Sequence, residues 1–213
     1  MEDLYGMLPR QGPGSPVCTR RAFSLLGPLP ERPMVLDVGC GTGAQTMELA
    51  RLTPGHIIAL DVFDWALDRL SEHVVAQSLA GRVHTTKQSM ADMDFREGTF
   101  DLVWSEGALY NIGIGSALRI CHGLLRPGGY LAFTDAVWRK ENPPAEVKAG
   151  FDFDYPAMGW VKDTVAAIGR GGFELLAHFT LPDEAWWDDF YTPMQSRIAE
   201  LRNQYAGDGE ASP

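Results

Sequence analysis

Basic residues are scarce in this chain: 18 Lys and Arg stand against 28 Asp and Glu over 213 residues, a formal net charge of −10. No basic run is longer than Arg20-Arg21 or Arg139-Lys140. Phosphate binding draws on clustered Lys and Arg, so nucleic acid and other polyanions are excluded as expected partners. Cysteine is scarce too. Cys18, Cys40 and Cys121 are an odd set without metal-ligand spacing, so no metal is expected. No apolar run approaches the ~18 residues needed to cross a bilayer. The opening residues carry Glu2 and Asp3 and do not read as a signal peptide. The expectation is a soluble, cytoplasmic chain with no membrane partner.

What the chain does have is an ordinary globular balance, 45% apolar and 22% charged residues, enough for one domain with a full core. It is organised around Pro33-Met34-Val35-Leu36-Asp37-Val38-Gly39-Cys40-Gly41-Thr42-Gly43. The first half is a buried-strand run, the second a glycine turn, and Ala44 to Leu52 reads as a helix. A strand that breaks on glycines and feeds a helix is the first βα turn of a doubly wound domain. There bare N–H groups and a helix start approach a ligand closely. A dinucleotide site wants Gly-x-Gly-x-x-Gly. Here the spacing is Gly39-x-Gly41-x-Gly43, with Ala44 at the last dinucleotide position and a carboxylate, Asp37, on the strand. That carboxylate is unwelcome beside a pyrophosphate and suited to a cationic ligand.

Further strands are expected at 56–61, 82–88, 100–104, 130–135 and 173–181, with helices at 64–79, 114–125, 158–168 and 183–205. Residues 138–160 read as irregular and aromatic. The fold class is α/β: a doubly wound, mostly parallel sheet with helices on both faces. Asp61 ends the second strand and follows Asp37 by 24 residues. A strand-end acid about 20 residues on meets an adenosine ribose in this kind of fold. Val62 and Phe63 would then lie against the adenine.

Leu36-Asp37-Val38-Gly39-Cys40-Gly41-Thr42-Gly43 resembles the first motif of class I S-adenosylmethionine-dependent methyltransferases. Leu125-Arg126-Pro127-Gly128-Gly129-Tyr130 before a strand is similar to another hallmark of that family, and the likeness runs over residues 33–137. The resemblance implies S-adenosylmethionine as cofactor, S-adenosylhomocysteine as product and a small-molecule acceptor. It implies cofactor contacts at Asp37, Gly39, Cys40, Gly41, Gly43, Gln45, Asp61, Val62, Phe63, Ser89, Met90, Ser105 and Glu106. It also implies Gly14 as a neighbour of the cofactor's methionine end, within a lead-in and cap over residues 1–32. Residues 33–206 would form the methyltransferase domain and 207–213 a disordered tail. Ser89 stands where the family carries an acid, so a hydroxyl replaces that contact, while Met90 still offers its backbone N–H.

For Glu106 three roles stay open: general base, electrostatic partner of a sulfonium, or solvated loop acid. Tyr110 is the second catalytic candidate, on an acceptor wall that otherwise reads as a turn. The family's final antiparallel strand is missing from the pattern, which suggests a shortened chain or a strand supplied by a partner, with a homodimer as an option. A nicotinamide-linked oxidoreductase and a non-enzymatic cofactor-binding protein are the rival functions.

Overall fold

A computed structural model describes residues 1–206, so the expected tail at 207–213 lies outside the described residues. Short helix α1 (Glu2–Tyr5) and α2 (Pro16–Ser24) precede β1 (Met34–Val38), α3 (Ala44–Leu52), β2 (His56–Asp61) and α4 (Asp64–Ala76). Then come β3 (Val83–Lys87), β4 (Phe100–Glu106), α5 (Ile114–Leu124) and β5 (Leu125–Thr134). Helices α6 (Ala145–Asp154), α7 (Val161–Arg170), α8 (Glu184–Trp186) and α9 (Thr192–Gln204) complete the order. The start of α2 follows from its residues: Ser15 accepts from the Cys18 N–H at 3.2 Å and Pro16 opens the first turn.

All five strands are parallel, in the order β3-β2-β1-β4-β5. The strand order reverses between β1 and β4, and a ligand crevice belongs at the carboxyl ends there. The period of two explains both layers. Val35, Ile57, Ala59, Leu102 and Trp104 pack with Met47 and Leu49 of α3 and Leu67 and Leu70 of α4. Leu36, Val38, Leu60 and Val103 pack with Ala117, Cys121 and Leu124 of α5. Burial on both faces is why β1 reads as one continuous apolar run interrupted only by Asp37.

Three expectations are corrected. Residues 173–181 form no strand; beyond the Phe173 N–H, which donates to Ile168, the segment enters no backbone ladder. Alternating apolar residues show which face is dry, but a strand also needs a neighbouring backbone about 4.8 Å away. A cavity of about 1130 Å³ separates β5 from 172–181 instead. Residues 138–160 are not wholly irregular, because Ala145–Asp154 is helical, with Pro144 at its N-cap. The expected helix at 183–205 is broken by a π-helical turn at Trp187–Tyr191. No antiparallel strand occurs among the described residues. No helix among them is long and apolar enough to cross a membrane.

Gly43 shows how tightly the turn is built. Its φ is +89°, and a Cβ there would meet the Leu70 side chain inside the core. Left-handed backbone and overpacking both penalise a side chain at such a position. Gly43→Ala should therefore lower the unfolding free energy by about 3 kcal/mol, read as a lower midpoint in urea at unchanged slope.

Candidate functional site

The glycine turn brings the ends of β1 and β2 together. The Gly39 and Cys40 N–H groups both donate to the Leu60 carbonyl, at 2.8 and 2.9 Å. Asp61 caps the turn from the side: its Oδ2 accepts from the Gly41 N–H at 2.9 Å. Its Oδ1 accepts from the Val62 and Phe63 N–H groups at 2.7 and 3.2 Å. Val62 and Phe63 are exposed, so their side chains are free to cover a flat ligand. Asp37 is fully buried, accepting from Thr46 Oγ1 at 2.5 Å and Gln45 Nε2 at 3.3 Å. Burial pushes its carboxyl from 3.8 up to about 7; the two hydrogen bonds oppose this, and the charges of Glu106 and Asp61 add to it. Gln45 is thus spent holding Asp37 and the Gly39 and Cys40 carbonyls.

Glu106 ends β4, next to β1 at the switch point. It is no solvated loop acid, since its side chain is 5% exposed. Oε1 accepts from Thr19 Oγ1 at 2.7 Å and Trp104 Nε1 at 3.0 Å, and Oε2 pairs with Arg10. Both of its oxygens are already taken, by a cation and two further donors, which leaves the electrostatic role as the best fit to its surroundings. Arg10 brings the N-terminal segment across the crevice. Gln11 fastens it, its Oε1 accepting from both the Thr42 N–H and Thr42 Oγ1 at 2.9 Å. Gly14 is buried against Arg10 and Glu106, so the lead-in packs onto the end of β4.

The other expected residues divide. Met90 stands near Gly39, where a Cβ would come within 3.6 Å of its methyl carbon. Ser89 is exposed, its hydroxyl accepting from the Ala91 N–H at 3.2 Å in a turn. Ser105 is fully buried and donates to the Val38 carbonyl at 2.8 Å, so its hydroxyl ties β4 to β1 and faces no crevice. That corrects its expected side-chain contact. Cys40 is buried and its thiol is pushed well up by burial, so it is a packing residue. Tyr110 is half-buried with its ring 4.9 Å from that of Tyr155, and burial raises its phenol. Tyr155 in turn reaches Asp135 at the end of β5, at 3.4 Å.

Arg10, Gln11, Thr19 and Asp135 were not legible as site residues. Arg10 and Gln11 stand immediately before Gly12-Pro13-Gly14, and that adjacency was the available signal. Nothing local marks the pairing of residues 96 positions apart.

Residues 35–129 match a family model described as a methyltransferase domain. Over that stretch the chain is similar to S-adenosylmethionine-dependent methyltransferases. Among the proteins it is similar to is the sterol 24-C-methyltransferase erg-4 of Neurospora crassa, 25% identical over 177 residues, covering 79% of this chain and 47% of that protein. Another is the O-methyltransferase rstn1 of Aspergillus nomiae, 28% identical over 152 residues, covering 70% of this chain and 68% of that protein. The chain spans about half the length of the sterol methyltransferases it matches. In fold it is similar to a methyltransferase from Thiobacillus denitrificans solved with S-adenosylhomocysteine. That likeness has a TM-score of 0.84 at 18% identity and covers 99% of this chain and 84% of that one.

The raised Asp37 carboxyl sets a pH dependence. Between about pH 4 and pH 7 the folded protein holds a proton on Asp37 that the unfolded chain has released. This contribution to stability is complete below pH 4 and is lost as pH rises to about 7. Thermal melts of Asp37→Asn, which cannot titrate there, should gain on those of the native protein steadily from pH 4 to pH 7 and run parallel above it.

Proposed function

We propose that this chain moves the methyl group of S-adenosylmethionine to a small-molecule acceptor at the carboxyl ends of β1 and β4. The observation that carries the reading is the charge of the crevice. Glu106 is paired with Arg10 and Asp37 keeps its proton toward pH 7, so Asp61, held by backbone N–H groups and in no ion pair among the described residues, is the carboxylate that meets a ligand. Such a site repels a pyrophosphate and favours a sulfonium, so the charge speaks against the nicotinamide reading on the same grounds as the glycine spacing. The match of residues 35–129 to a methyltransferase domain supports the same choice, as does the S-adenosylhomocysteine bound to the similarly folded Thiobacillus protein.

The residues present suit this cofactor. Asp61, fixed by three backbone N–H groups, is placed to accept from ribose hydroxyls, and Val62 and Phe63 are free to flank the adenine. The bound sulfonium supplies an already activated methyl group. What remains for the chain is to align acceptor, methyl and sulfur and to exclude water. The N-terminal segment excludes water from above, with Arg10 and Gln11 drawn down onto β4 and the glycine turn. Asp135 is the better candidate to receive an acceptor's proton. Burial lifts its carboxyl from 3.8 to about 6, one buried oxygen has no partner, and no basic side chain pairs with it among the described residues. Tyr110 and Tyr155 would form one acceptor wall, and Trp186, Trp187 and Tyr191, rings carried on or beside the π-helical turn, another. With a sterol methyltransferase and an O-methyltransferase among the relatives, a small organic molecule is the acceptor class.

Calorimetric titration should show S-adenosylhomocysteine binding more tightly than NAD. Asp61→Ala should weaken it by about 1–3 kcal/mol, the worth of a hydrogen bond to a charged group. A protein that binds NAD in preference, or neither ligand, would refute the reading. One that binds S-adenosylhomocysteine yet transfers no labelled methyl to any of a broad panel of small molecules would favour a binding protein instead.

A further inference from the structure

Asp135 directly follows β5, whose last residue, Thr134, pairs with Glu106 of β4. Its Oδ2 accepts from the Tyr155 hydroxyl at 3.4 Å, while the buried Oδ1 makes no hydrogen bond among the described residues. A buried acceptor without a partner has given up its hydration and gained nothing in return, so it marks a place where a donor belongs. Asp135 lines the same cavity as Trp186, Trp187 and Tyr191 of the π-helical region. Behind it, Tyr155 packs its ring 4.9 Å from that of Tyr110. Tyr5 of α1 lies near enough for its charge to act on both Tyr110 and Tyr191, so the two groups of rings are neighbours. No arginine or lysine pairs with Asp135 among the described residues. Of the arginines on the cavity wall, Arg126 is paired with Asp101, and Arg139 is exposed and in no ion pair.

A carboxylate oxygen without a donor, set among aromatic rings and without a cation of its own, is the complement of an ammonium group. We infer that the acceptor is a primary or secondary amine that enters as its ammonium, its N–H received by Asp135 Oδ1 and its carbon body flanked by Trp186, Trp187 and Tyr191. This assignment rests on the reading of the crevice as an S-adenosylmethionine site. An alcohol or a phenol could donate to Oδ1 as well, but it brings no charge and leaves a buried anion uncompensated. Proton chemistry separates the alcohol further. An alkylammonium is far closer in acidity to a carboxyl that burial has lifted to about 6 than any alcohol is. The ammonium gives one proton to Asp135, and the freed nitrogen lone pair forms the bond to the methyl carbon. The C–S bond breaks with its electron pair left on sulfur, the product leaves as a methylated ammonium, and Asp135 passes its proton to water.

Three probes of similar size and different head group test this: benzylamine, benzyl alcohol and p-cresol. Calorimetry on the whole chain, saturated with S-adenosylhomocysteine, should show benzylamine binding at least tenfold more tightly than either neutral probe. Asp135→Asn should weaken benzylamine by 10- to 100-fold and change the neutral probes by less than threefold. Tyr191→Leu should weaken benzylamine by three- to tenfold, as for a lost contact between a cation and a ring. Thermal melts establish that each variant is folded. With methyl-labelled S-adenosylmethionine, the native protein should label the nitrogen of benzylamine at least tenfold faster than the oxygen of either other probe. A neutral probe bound as tightly as benzylamine, an amine preference that survives Asp135→Asn, or faster labelling of oxygen would each overturn the assignment. So would a protein that holds S-adenosylhomocysteine and takes none of the three. All of these results leave the cofactor reading standing, whereas a native protein that does not bind S-adenosylhomocysteine removes both.

Discussion

Everything at the crevice follows from carboxylates brought together where sheet, helix and glycine turn leave little room for water. Asp37 is wholly buried on the middle strand, Asp61 closes the turn beside it, and Glu106 stands at the next strand end. Like charges in such a setting must be neutralised by protons, cations or hydrogen bonds, and the chain uses all three. Asp37 keeps its proton toward neutral pH, Glu106 draws Arg10 across the whole molecule, and Asp61 is held by backbone N–H groups. The same arrangement would suit a nucleoside better than the pyrophosphate this kind of fold elsewhere cradles.

The carboxyl-edge half of the site was legible because its residues are neighbours in sequence as well as in space. Asp37, Gly39, Gly41 and Gly43 lie on one strand and turn, and Asp61 ends the next strand, so strand period and glycine spacing place them. Even there, backbone hydrogen bonding decides which side chains face a ligand. Ser105 sits at the right strand end, yet its hydroxyl is turned into the sheet to meet the Val38 carbonyl. The N-terminal contribution was legible only as a cap near Gly14. Its working parts, Arg10 on Glu106 and Gln11 on Thr42, depend on how the lead-in crosses the sheet, and no local period encodes that crossing.

In the fold, legibility failed where an element's partner was in question. The strands β1, β2 and β4 were expected within a residue or two, because each packs side chains on both faces of the sheet and carries an apolar run. Residues 173–181 carry an equally regular alternation and form nothing, since β5 lies across a cavity from them. The helix at Ala145–Asp154 has the opposite history. Its sequence has no buried stripe and none of its residues is fully buried, so the pattern of apolar residues gave it no signal.

The two ends of the chain close the site jointly. The Gly14 N–H donates to the Ala185 carbonyl at 2.8 Å, Arg197 Nε donates to the Asp3 carbonyl at 2.8 Å, and Tyr205 reaches the Asp3 carboxylate at 3.3 Å. The side-chain contacts among these are exposed and individually worth about 1 kcal/mol, far less than the packing that holds the five-stranded sheet. A cover held by a few such bonds can lift without unfolding what lies beneath, which is the requirement for a ligand to enter a crevice that is later sealed from water. The Arg10–Glu106 pair is the buried end of that cover.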